Sequence, residues 1–255
     1  MGVHTTWSVV TGASGGIGEA FADYLAAAGQ NLVLTGRRQD KLEELATSLQ
    51  RRHRIDTNVL SLDLAVEKDR EALVTHLAGL DLDTLVNNAG FGMLGEVATA
   101  DADRLVEMVS VNCVALTQLT RAVLPGLLLR GRGSIINVAS TAAFQPIPSM
   151  AAYAASKSYV LSFSQALWSE VNGTGVRVTA ICPGPTDTRF FVEAGNDRVM
   201  TRRRQPAQVV ASTFEALKDN KPYVVDGAIN ATVAKASKLA PARFAMRISR
   251  RMARG

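Results

Sequence analysis

A tyrosine and a lysine stand four residues apart in the stretch AAYAASKSY, which covers residues 151–159. On an α-helix this spacing puts Tyr153 and Lys157 on one face, close enough for the ammonium group to act on the phenol. A neighbouring positive charge favours the phenolate, so the pair could exchange a proton near neutral pH. The spacing alone carries little weight, because roughly 0.1 chance matches are expected in such a chain. The elements around the pair therefore decide whether it is functional.

A glycine-rich segment, TGASGGIG at residues 11–18, lies between a predicted strand and a predicted helix. Gly12, Gly16 and Gly18 allow a tight turn, close approach of the backbone to a pyrophosphate, and close packing of the helix on the strand. The helix N-terminus would supply amide groups for the anion. A plain tight turn is the alternative, but the strand before it and the helix after it favour a nucleotide site.

The end of the second predicted strand bears on which nucleotide is bound. Dinucleotide folds place an acid there to bind the adenosine ribose 2′-hydroxyl, whereas this chain has Gly36, Arg37 and Arg38. Two guanidinium groups suit a 2′-phosphate, so NADP is favoured over NAD, with a solvated basic pair as the alternative. Asp63, at the end of the third predicted strand, is placed either to meet the adenine amine or to cap the strand end.

Seven short runs rich in β-branched residues alternate with longer helical patterns. This alternation, with nearly continuous apolar strands, is typical of a doubly wound α/β fold whose parallel sheet is covered by helices on both faces. No Pro-rich linker or internal repeat interrupts residues 1–228, which favours a single domain. The predicted strands are 7–11, 31–35, 58–63, 84–87, 134–140, 176–182 and 223–226.

Composition limits the classes of function. The chain has 255 residues, 47% of them hydrophobic, which is enough for a large core. Its formal net charge of +5 comes from residues 235–255, which hold seven basic side chains and no acid. The rest of the chain carries a net charge of −2, so the charge does not indicate nucleic-acid binding. Cys113 and Cys182 lack metal-ligand spacing and are interpreted as reduced, buried thiols, and the three histidines lie on no motif, so no metal site is predicted.

Several ordered signatures together make the chain resemble the short-chain dehydrogenase/reductase family. The resemblance spans residues 7 to about 190, and it implies a one-domain Rossmann enzyme with a seven-stranded parallel sheet. The strand count reached above agrees with this. The signatures are TGASGGIG, NNAG at 87–90, Asn112, Ser140, Tyr153, Lys157 and PGPTDT at 183–188.

The resemblance implies a role for each catalytic candidate. Tyr153 would exchange a proton with the substrate oxygen, while Lys157 would lower the pKa of Tyr153 and hydrogen-bond the nicotinamide ribose. Ser140 would hydrogen-bond the substrate oxygen, and Asn112 would anchor a water in the proton relay behind Lys157. Taken singly, each of these residues could have a purely structural role. Ser140 could cap the segment that follows it, and Asn112 could hydrogen-bond the backbone.

A cofactor site along the carboxyl edge of the sheet follows from the same resemblance. Gly15 stands where many NADP-using relatives have a basic residue, so the NADP prediction depends on Arg37 and Arg38. The expected cofactor-binding residues are Gly12, Ser14, Gly15, Gly16, Ile17, Gly18, Arg37, Arg38, Asp63, Leu64, Asn88, Ala89, Gly90, Tyr153, Lys157, Pro183, Gly184, Thr186 and Thr188.

A substrate lid is expected at about 189–204, within a catalytic domain that covers residues 1–229. Phe190 and Phe191 suggest an apolar acceptor site beside Ser140 and Tyr153, and ordinary helix packing is the alternative. The sequence does not specify the substrate.

The C-terminal extension, residues 230–255, differs in composition. Phe244, Ile248 and Met252 recur every four residues beside a cluster of arginines, the pattern of a basic amphipathic helix. Such a helix would lie on an anionic membrane surface, shield an apolar substrate, or pack on the body of the protein.

The favoured hypothesis is an NADP(H)-dependent oxidoreductase that acts on a carbonyl or secondary alcohol. Reduction of a lipophilic ketone or aldehyde is the favoured direction, because cellular NADPH is usually kept reduced. A nucleotide-sensing binding protein without turnover and a membrane-associated interaction protein are the alternatives. No apolar run of eighteen residues and no secretion signal are found, so a cytoplasmic protein, peripheral at the membrane at most, is expected. The family commonly pairs through long helices, here 101–129 and 151–172, so a homodimer or homotetramer is expected.

Overall fold

A seven-stranded parallel sheet forms the centre of the molecule, with the strand order β3-β2-β1-β4-β5-β6-β7. The computed structural model describes residues 6–188, 190 and 203–239. The strands are β1 (Trp7–Thr11), β2 (Asn31–Gly36), β3 (Thr57–Ser61), β4 (Leu82–Asn87), β5 (Gly133–Val138), β6 (Val176–Cys182) and β7 (Tyr223–Val225). The predicted doubly wound, single-domain α/β fold is confirmed.

Helices cover both faces of the sheet, because each parallel crossover has to return the chain to the same edge. The helices are α1 (Gly16–Ala27), α2 (Gln39–His53), α3 (Glu67–Leu77), α4 (Ala102–Val109), α5 (Leu116–Arg130), α6 (Ala151–Glu170), α7 (Pro206–Lys218) and α8 (Ala228–Leu239). A π-helical turn, Ser110–Ala115, joins α4 to α5, and a 3₁₀ turn, Thr141–Phe144, precedes α6.

The two faces of the sheet bury separate apolar clusters. Phe21, Leu25 and Leu42 lie on the face covered by α1, α2 and α7. Leu119, Leu127 and other buried residues lie on the face covered by α3, α5 and α6. The strands are apolar on both faces for this reason, and their carboxyl ends remain free to present polar groups along one edge.

The predicted strand and helix ends needed small corrections. β3 ends at Ser61 rather than Asp63, because the Asp63 carboxylate accepts a hydrogen bond from the Ala65 amide and turns the chain toward α3. The helix predicted at 101–129 is interrupted by the π-helical turn. Taken as one stretch, Ala102–Arg130 is long and apolar enough to cross a membrane, since an 18-residue window within it has a mean hydropathy of 1.3. Its Leu119, Val123 and Leu127 are nevertheless buried against the sheet.

A buried polar network crosses the centre of the sheet. The side-chain Nδ2 of Asn87 donates to Asn137 Oδ1 at 2.9 Å and to Thr120 Oγ1 at 3.1 Å. Asn137 in turn donates to Ser164 Oγ at 2.9 Å. Asn87 and Asn137 are paired across β4 and β5, so the network holds these two strands and α6 in one register.

Candidate active site

The glycine-rich loop is held in place from β4. Thr11 Oγ1 donates to Val86 O and accepts from the Asn88 and Ala89 amides, at 3.0 and 2.9 Å. The Asn88 side chain donates to Thr11 O and Gly12 O, at 2.8 and 3.1 Å. Asn88 is thus a support of the loop as well as a residue near the expected cofactor. Thr11, which the sequence analysis did not single out, is the hub of these contacts.

The glycines of the same loop leave space for a ligand, because they carry no side chains. A Cβ on Gly12 would stand 2.9 Å from Ala89 Cα, and a Cβ on Gly18 would stand 2.2 Å from Gly12 O. Gly12 and Gly16 also adopt positive φ angles of 64° and 59°. The loop therefore approaches β4 and packs α1 on β1 as only glycine permits, and its backbone forms the kind of cradle that a dinucleotide pyrophosphate needs.

Arg37 and Arg38 stand beside this cradle in different environments. The Arg38 guanidinium donates to the Ser14 carbonyl, and its Nη2 lies 3.4 Å from Ser14 Oγ. Arg37 is exposed, and its backbone carbonyl accepts from Ser61 Oγ at 3.3 Å. Both cations therefore lie at the carboxyl end of β2, where a 2′-phosphate would be bound.

Asp63 and Leu64 form a short loop that is fixed from behind. The Asp63 amide donates to Asp69 Oδ2 at 2.7 Å. Arg70, only 8% exposed, donates to the carbonyls of Leu64 and Ala65 at 3.0 and 2.8 Å. Of the two alternatives for Asp63, the strand-end cap is seen. Its other carboxylate oxygen is left for the adenine amine, a role that stays a prediction.

Tyr153, Ser140 and Lys157 meet at the carboxyl end of β5. Tyr153 lies in the first turn of α6, is 7% exposed, and its hydroxyl is hydrogen-bonded to the Ser140 side chain. Ser140 also caps the 3₁₀ turn, since its Oγ accepts from the Ala142 amide at 3.1 Å. Lys157 Nζ lies 5.9 Å from the Tyr153 ring centroid, so the helical spacing does bring the phenol and the amine together.

The sequence predicts a lowered pKa for Tyr153, but in this structure the pKa is raised overall, so that prediction is wrong. Burial raises the pKa of Tyr153 to about 12, and the hydrogen bond from Ser140 lowers it only in part. Burial also lowers the pKa of Lys157 from 10.5 to about 8. Both shifts have one cause, because a site shielded from water disfavours either charged form. At neutral pH, Tyr153 is therefore a protonated phenol.

Lys157 has its own partners in the interior. Its Nζ donates to Val138 O at 2.8 Å and lies near the thiols of Cys113 and Cys182, which oppose the loss of its charge. Cys182 is buried and Cys113 is half-buried, and burial raises the pKa of Cys113. The prediction that both are buried holds fully only for Cys182.

Asn112 lies in the π-helical turn and ties three segments together. Its Oδ1 accepts from the Phe91 amide at 3.1 Å, and its Nδ2 donates to Phe91 O at 3.0 Å and to Ser156 Oγ at 2.9 Å. Ser156 Oγ then donates to Tyr153 O at 2.7 Å. The side chain of Asn112 thus supports both the loop after β4 and the turn of α6 that carries Tyr153. The predicted water relay stays a prediction.

An apolar wall faces the Tyr153 phenol. The ring of Phe190 lies 5.4 Å from that of Tyr153, and Gly92 is so close that a Cβ there would stand 2.7 Å from Phe190 Cζ. The Arg104 guanidinium lies 4.4 Å from the centroid of the Phe91 ring, at the rim of the wall. The apolar residues packed around Tyr153 include Phe91, Met93, Leu105, Met108, Ile147, Met150 and Phe190.

The segment after β6 closes the site opposite α6. Thr186 is 5% exposed and its Oγ1 donates to Gly184 O at 3.0 Å. Thr188 reaches the glycine-rich loop, since a Cβ on Gly16 would stand 2.9 Å from Thr188 Cγ2. Pro183, Gly184, Thr186 and Thr188 therefore border the same cleft as the glycine-rich loop. Of the predicted lid, residues 189 and 191–202 lie outside the described residues, Phe191 among them, as do residues 240–255 of the extension.

Metal ligation has no basis in the described part of the chain, where no group of three or more His, Cys, Asp or Glu side chains is placed to hold an ion. The side chains that the described site offers for chemistry are a phenol, an amine and a hydroxyl. The glycine cradle and the two arginines fit an NAD(P) cofactor.

Comparisons with known proteins agree with this site. A model of the short chain dehydrogenase family matches residues 6–199. Very-long-chain 3-oxoacyl-CoA reductase of Homo sapiens is 34% identical over 181 residues, which are 69% of this chain and 58% of that protein. Sulfoacetaldehyde reductase 2 of Chromohalobacter salexigens is 40% identical over 195 residues, which are 74% of this chain and 77% of that protein.

Solved structures extend the similarity to the fold. A short-chain dehydrogenase from Sphingobium yanoikuyae in complex with NADPH has a TM-score of 0.85 and 29% identity, with 91% of each chain covered. The protein therefore belongs to the short-chain dehydrogenase/reductase family. As a member of this family, it is an NAD(P)-binding oxidoreductase. The match spans little more than half of the human reductase, so the activity of that whole protein is not transferred here.

Proposed function

We propose that this protein is an NADP(H)-dependent reductase of a lipophilic ketone or aldehyde. The observation that carries the proposal is the protonated Tyr153 phenol, hydrogen-bonded to Ser140, inside an apolar wall. A phenol whose pKa is about 12 is a proton donor at neutral pH. Reduction of a carbonyl needs such a donor at the oxygen, whereas oxidation of an alcohol needs a base there. The protonated phenol is the form that the reductive direction requires.

The cofactor would be held by the loop, the two arginines and the segment after β6. The glycine-rich backbone and the N-terminus of α1 would bind the pyrophosphate, and Arg37 and Arg38 would bind the 2′-phosphate. Lys157 would hold the nicotinamide ribose. When bound, the cofactor supplies the hydride that the carbonyl carbon receives. The NADPH complex of the Sphingobium relative supports the choice of NADP.

The chain's own residues would control the proton. Ser140 and Tyr153 would both hydrogen-bond the carbonyl oxygen, and the negative charge that develops there would be stabilised by these donors in a site shielded from water. Tyr153 would give up its hydroxyl proton to that oxygen. Lys157, whose amine lies beside the phenol and whose pKa of about 8 keeps it largely protonated at neutral pH, would stabilise the resulting phenolate.

The apolar wall supports a lipophilic substrate. Three methionines, Met93, Met108 and Met150, surround Tyr153 together with Phe91 and Ile147. Methionine side chains are flexible and polarisable, so such a wall adapts to alkyl groups of varied shape. The reductases of very-long-chain 3-oxoacyl-CoA are consistent with this class, whereas the relative that reduces sulfoacetaldehyde shows that small anionic substrates also occur among similar chains.

The first test compares the wild-type chain with Tyr153→Phe. NADPH and NADH oxidation is followed at 340 nm with aldehydes and ketones of graded chain length. We expect the substitution to lower kcat by roughly 10²–10⁴-fold while NADPH binding stays nearly intact, because it removes the proton and keeps the ring. Turnover unchanged by the substitution would contradict the role of Tyr153.

The same assay addresses the alternative of a nucleotide-sensing binding protein. Cofactor binding without turnover on any substrate of the panel would favour the sensor. The hydrogen-bonded Ser140 and Tyr153 speak against it, since a sensor has no physical need for a proton donor inside an apolar wall.

A further inference from the structure

Arg204 lies directly beside the segment that follows β6. The Arg204 amide donates to Pro185 O at 2.9 Å, and the Asp187 amide donates to Arg204 O at 2.8 Å. Thr186 and Arg204 thereby form a parallel bridge of two extended backbones. Main-chain hydrogen bonds thus join Arg204 to residues 185 and 187.

An ion pair with a buried carboxylate fixes Arg204 in place. Arg204 Nε and Nη2 donate to the two carboxylate oxygens of Asp226, at 2.5 and 2.9 Å, and the Asp226 side chain is completely buried. Ser212 Oγ donates to Asp226 Oδ1 at 2.8 Å. A bidentate guanidinium–carboxylate pair fixes orientation as well as distance, so Arg204 has little freedom to move relative to the end of β7.

The other contacts of Asp226 converge on the same segment after β6. Its amide donates to Cys182 O at 3.2 Å, and its carbonyl accepts from Asn230 Nδ2 at 2.7 Å. Asn230 in turn packs so closely under Gly184 that a Cβ there would stand 2.3 Å from its Nδ2. Residues 183–188 are therefore held from below by Asn230, which is bonded to Asp226, from the side by Arg204, and by the glycine-rich loop at Thr188.

We propose that Arg204 and Asp226 are a positioning pair that sets residues 183–188 against the nicotinamide half of the cofactor. The proposal rests on the proposed function, in which Lys157 and Tyr153 mark the nicotinamide half of the cofactor. The segment leads directly to Phe190, whose ring lies 5.4 Å from that of Tyr153. Neither side chain would touch the reacting atoms. The pair acts by fixing the backbone of Pro185 and Asp187, and hence the direction of Thr186 and Thr188.

The test measures two affinities by calorimetry in the full chain. NADPH contains the nicotinamide, whereas 2′-phospho-ADP-ribose keeps the adenosine, the 2′-phosphate and the pyrophosphate without it. For Arg204→Lys, which keeps the charge but loses the bidentate geometry, we expect the dissociation constant of NADPH to rise about tenfold and that of 2′-phospho-ADP-ribose to stay within about twofold. Ser212→Ala, which removes one hydrogen bond and keeps the ion pair, should leave both constants within about twofold.

Kinetics provide a second readout. The deuterium isotope effect with NADPH labelled at the transferred hydrogen should increase in Arg204→Lys, because a poorly placed nicotinamide makes the hydride step more limiting. Equal losses of both affinities would overturn the proposal, since the pair would then only hold the fold together. Unchanged affinities with an unchanged isotope effect would overturn it as well. Asp226→Asn serves as a second variant if it folds.

Failure of the proposed function looks different. In that case the wild-type chain itself binds NADPH no better than NADH or shows no NADPH-dependent turnover, and the inference falls with it. Wild-type binding and turnover, matched by Arg204→Lys in every measurement, would overturn the positioning pair alone.

Discussion

The site shows how one environment alters two side chains in opposite senses. Water is excluded from both Tyr153 and Lys157, so the phenol keeps its proton more firmly and the amine releases its proton more readily. Spacing alone could predict that these groups meet. It could not predict the balance between their mutual interaction and the loss of solvent, because burial depends on Phe190, Met108 and other residues distant in sequence.

The charge on Lys157 should reduce the stability of the fold. Its pKa in the folded protein, about 8, lies below the ordinary 10.5, so below pH 8 a charge is buried at a cost, and stability should rise as the pH increases from 8 to 10.5. Replacing it by methionine removes this cost but leaves Val138 O without its donor. We expect Lys157→Met to raise the free energy of unfolding at pH 7 by about 1–3 kcal/mol.

Guanidinium unfolding at pH 7 and pH 9.5 checks this expectation. The gain from Lys157→Met should be smaller at pH 9.5, where the wild-type lysine is already largely neutral in the folded state. Lys68→Met, at an exposed position of α3, is the matched control and should change stability little at either pH. A less stable Lys157→Met at pH 7 would show that the lysine stabilises the fold.

Arg37 should determine the preference for NADPH over NADH. Arg37 is exposed, so Arg37→Asp should raise the dissociation constant of NADPH about 10- to 100-fold and that of NADH only slightly, because it introduces a repulsive charge at the 2′-phosphate. Titration of both cofactors measures this. Arg51→Asp, at the far end of α2, is the control. Equal weakening of both cofactors would remove the reason for choosing NADP.

At the scale of the element, the contact of α1 with β1 depends on the absence of a side chain. A Cβ on Gly18 would stand 2.2 Å from Gly12 O and 2.6 Å from Asn88 Nδ2. Gly18→Ala should therefore displace α1 from β1, lower the Tm by several degrees and reduce cofactor affinity by at least about tenfold.

Gly79 offers the matched control for this substitution. It has no atoms within 4 Å of the position that a Cβ would take, so Gly79→Ala should leave both the Tm and cofactor binding close to wild type. Thermal unfolding with and without NADPH measures both effects. Wild-type behaviour of Gly18→Ala would mean that the loop yields easily and is not a rigid cradle.

Elements were predicted well where local patterns determine them. The seven strands follow from apolar runs, and their existence and order along the chain were confirmed. The π-helical turn at Ser110–Ala115 could not be anticipated, because it depends on Asn112 meeting Phe91 and Ser156 from other parts of the chain. The same holds for Arg70 and Arg204, whose partners are distant in sequence and whose residue types follow no motif. Thr11 belongs to the glycine-rich motif, but the motif does not reveal its contacts with Val86, Asn88 and Ala89.

At the scale of the whole molecule, α4 and α5 expose apolar side chains. Val106 is 66% exposed, Leu129 is 90% exposed, and Tyr159 on the neighbouring α6 is 41% exposed. We expect this surface to join two or more copies of the chain, because exposed apolar groups gathered on paired helices favour association.

Sedimentation velocity tests this expectation. Wild type should sediment as a dimer or tetramer, and Val106→Asp combined with Leu129→Asp should shift it toward monomer. Val66→Asp, at a residue that is 49% exposed just before α3, should leave the assembly unchanged. A wild-type monomer at micromolar concentration would show that these helices face solvent in the working protein.

The strand order also has a consequence for synthesis. β1 pairs with β2 and with β4. Both edges of β1 are therefore hydrogen-bonded only after Asn87, the last residue of β4, has left the ribosome. At about 5–20 residues per second, the interval between Thr11 and Asn87 is on the order of ten seconds. For that time the apolar edge of Val9 and Val10 is open to incorrect pairing. A nascent chain of this order is therefore the kind that chaperones would protect before the centre of its sheet has closed.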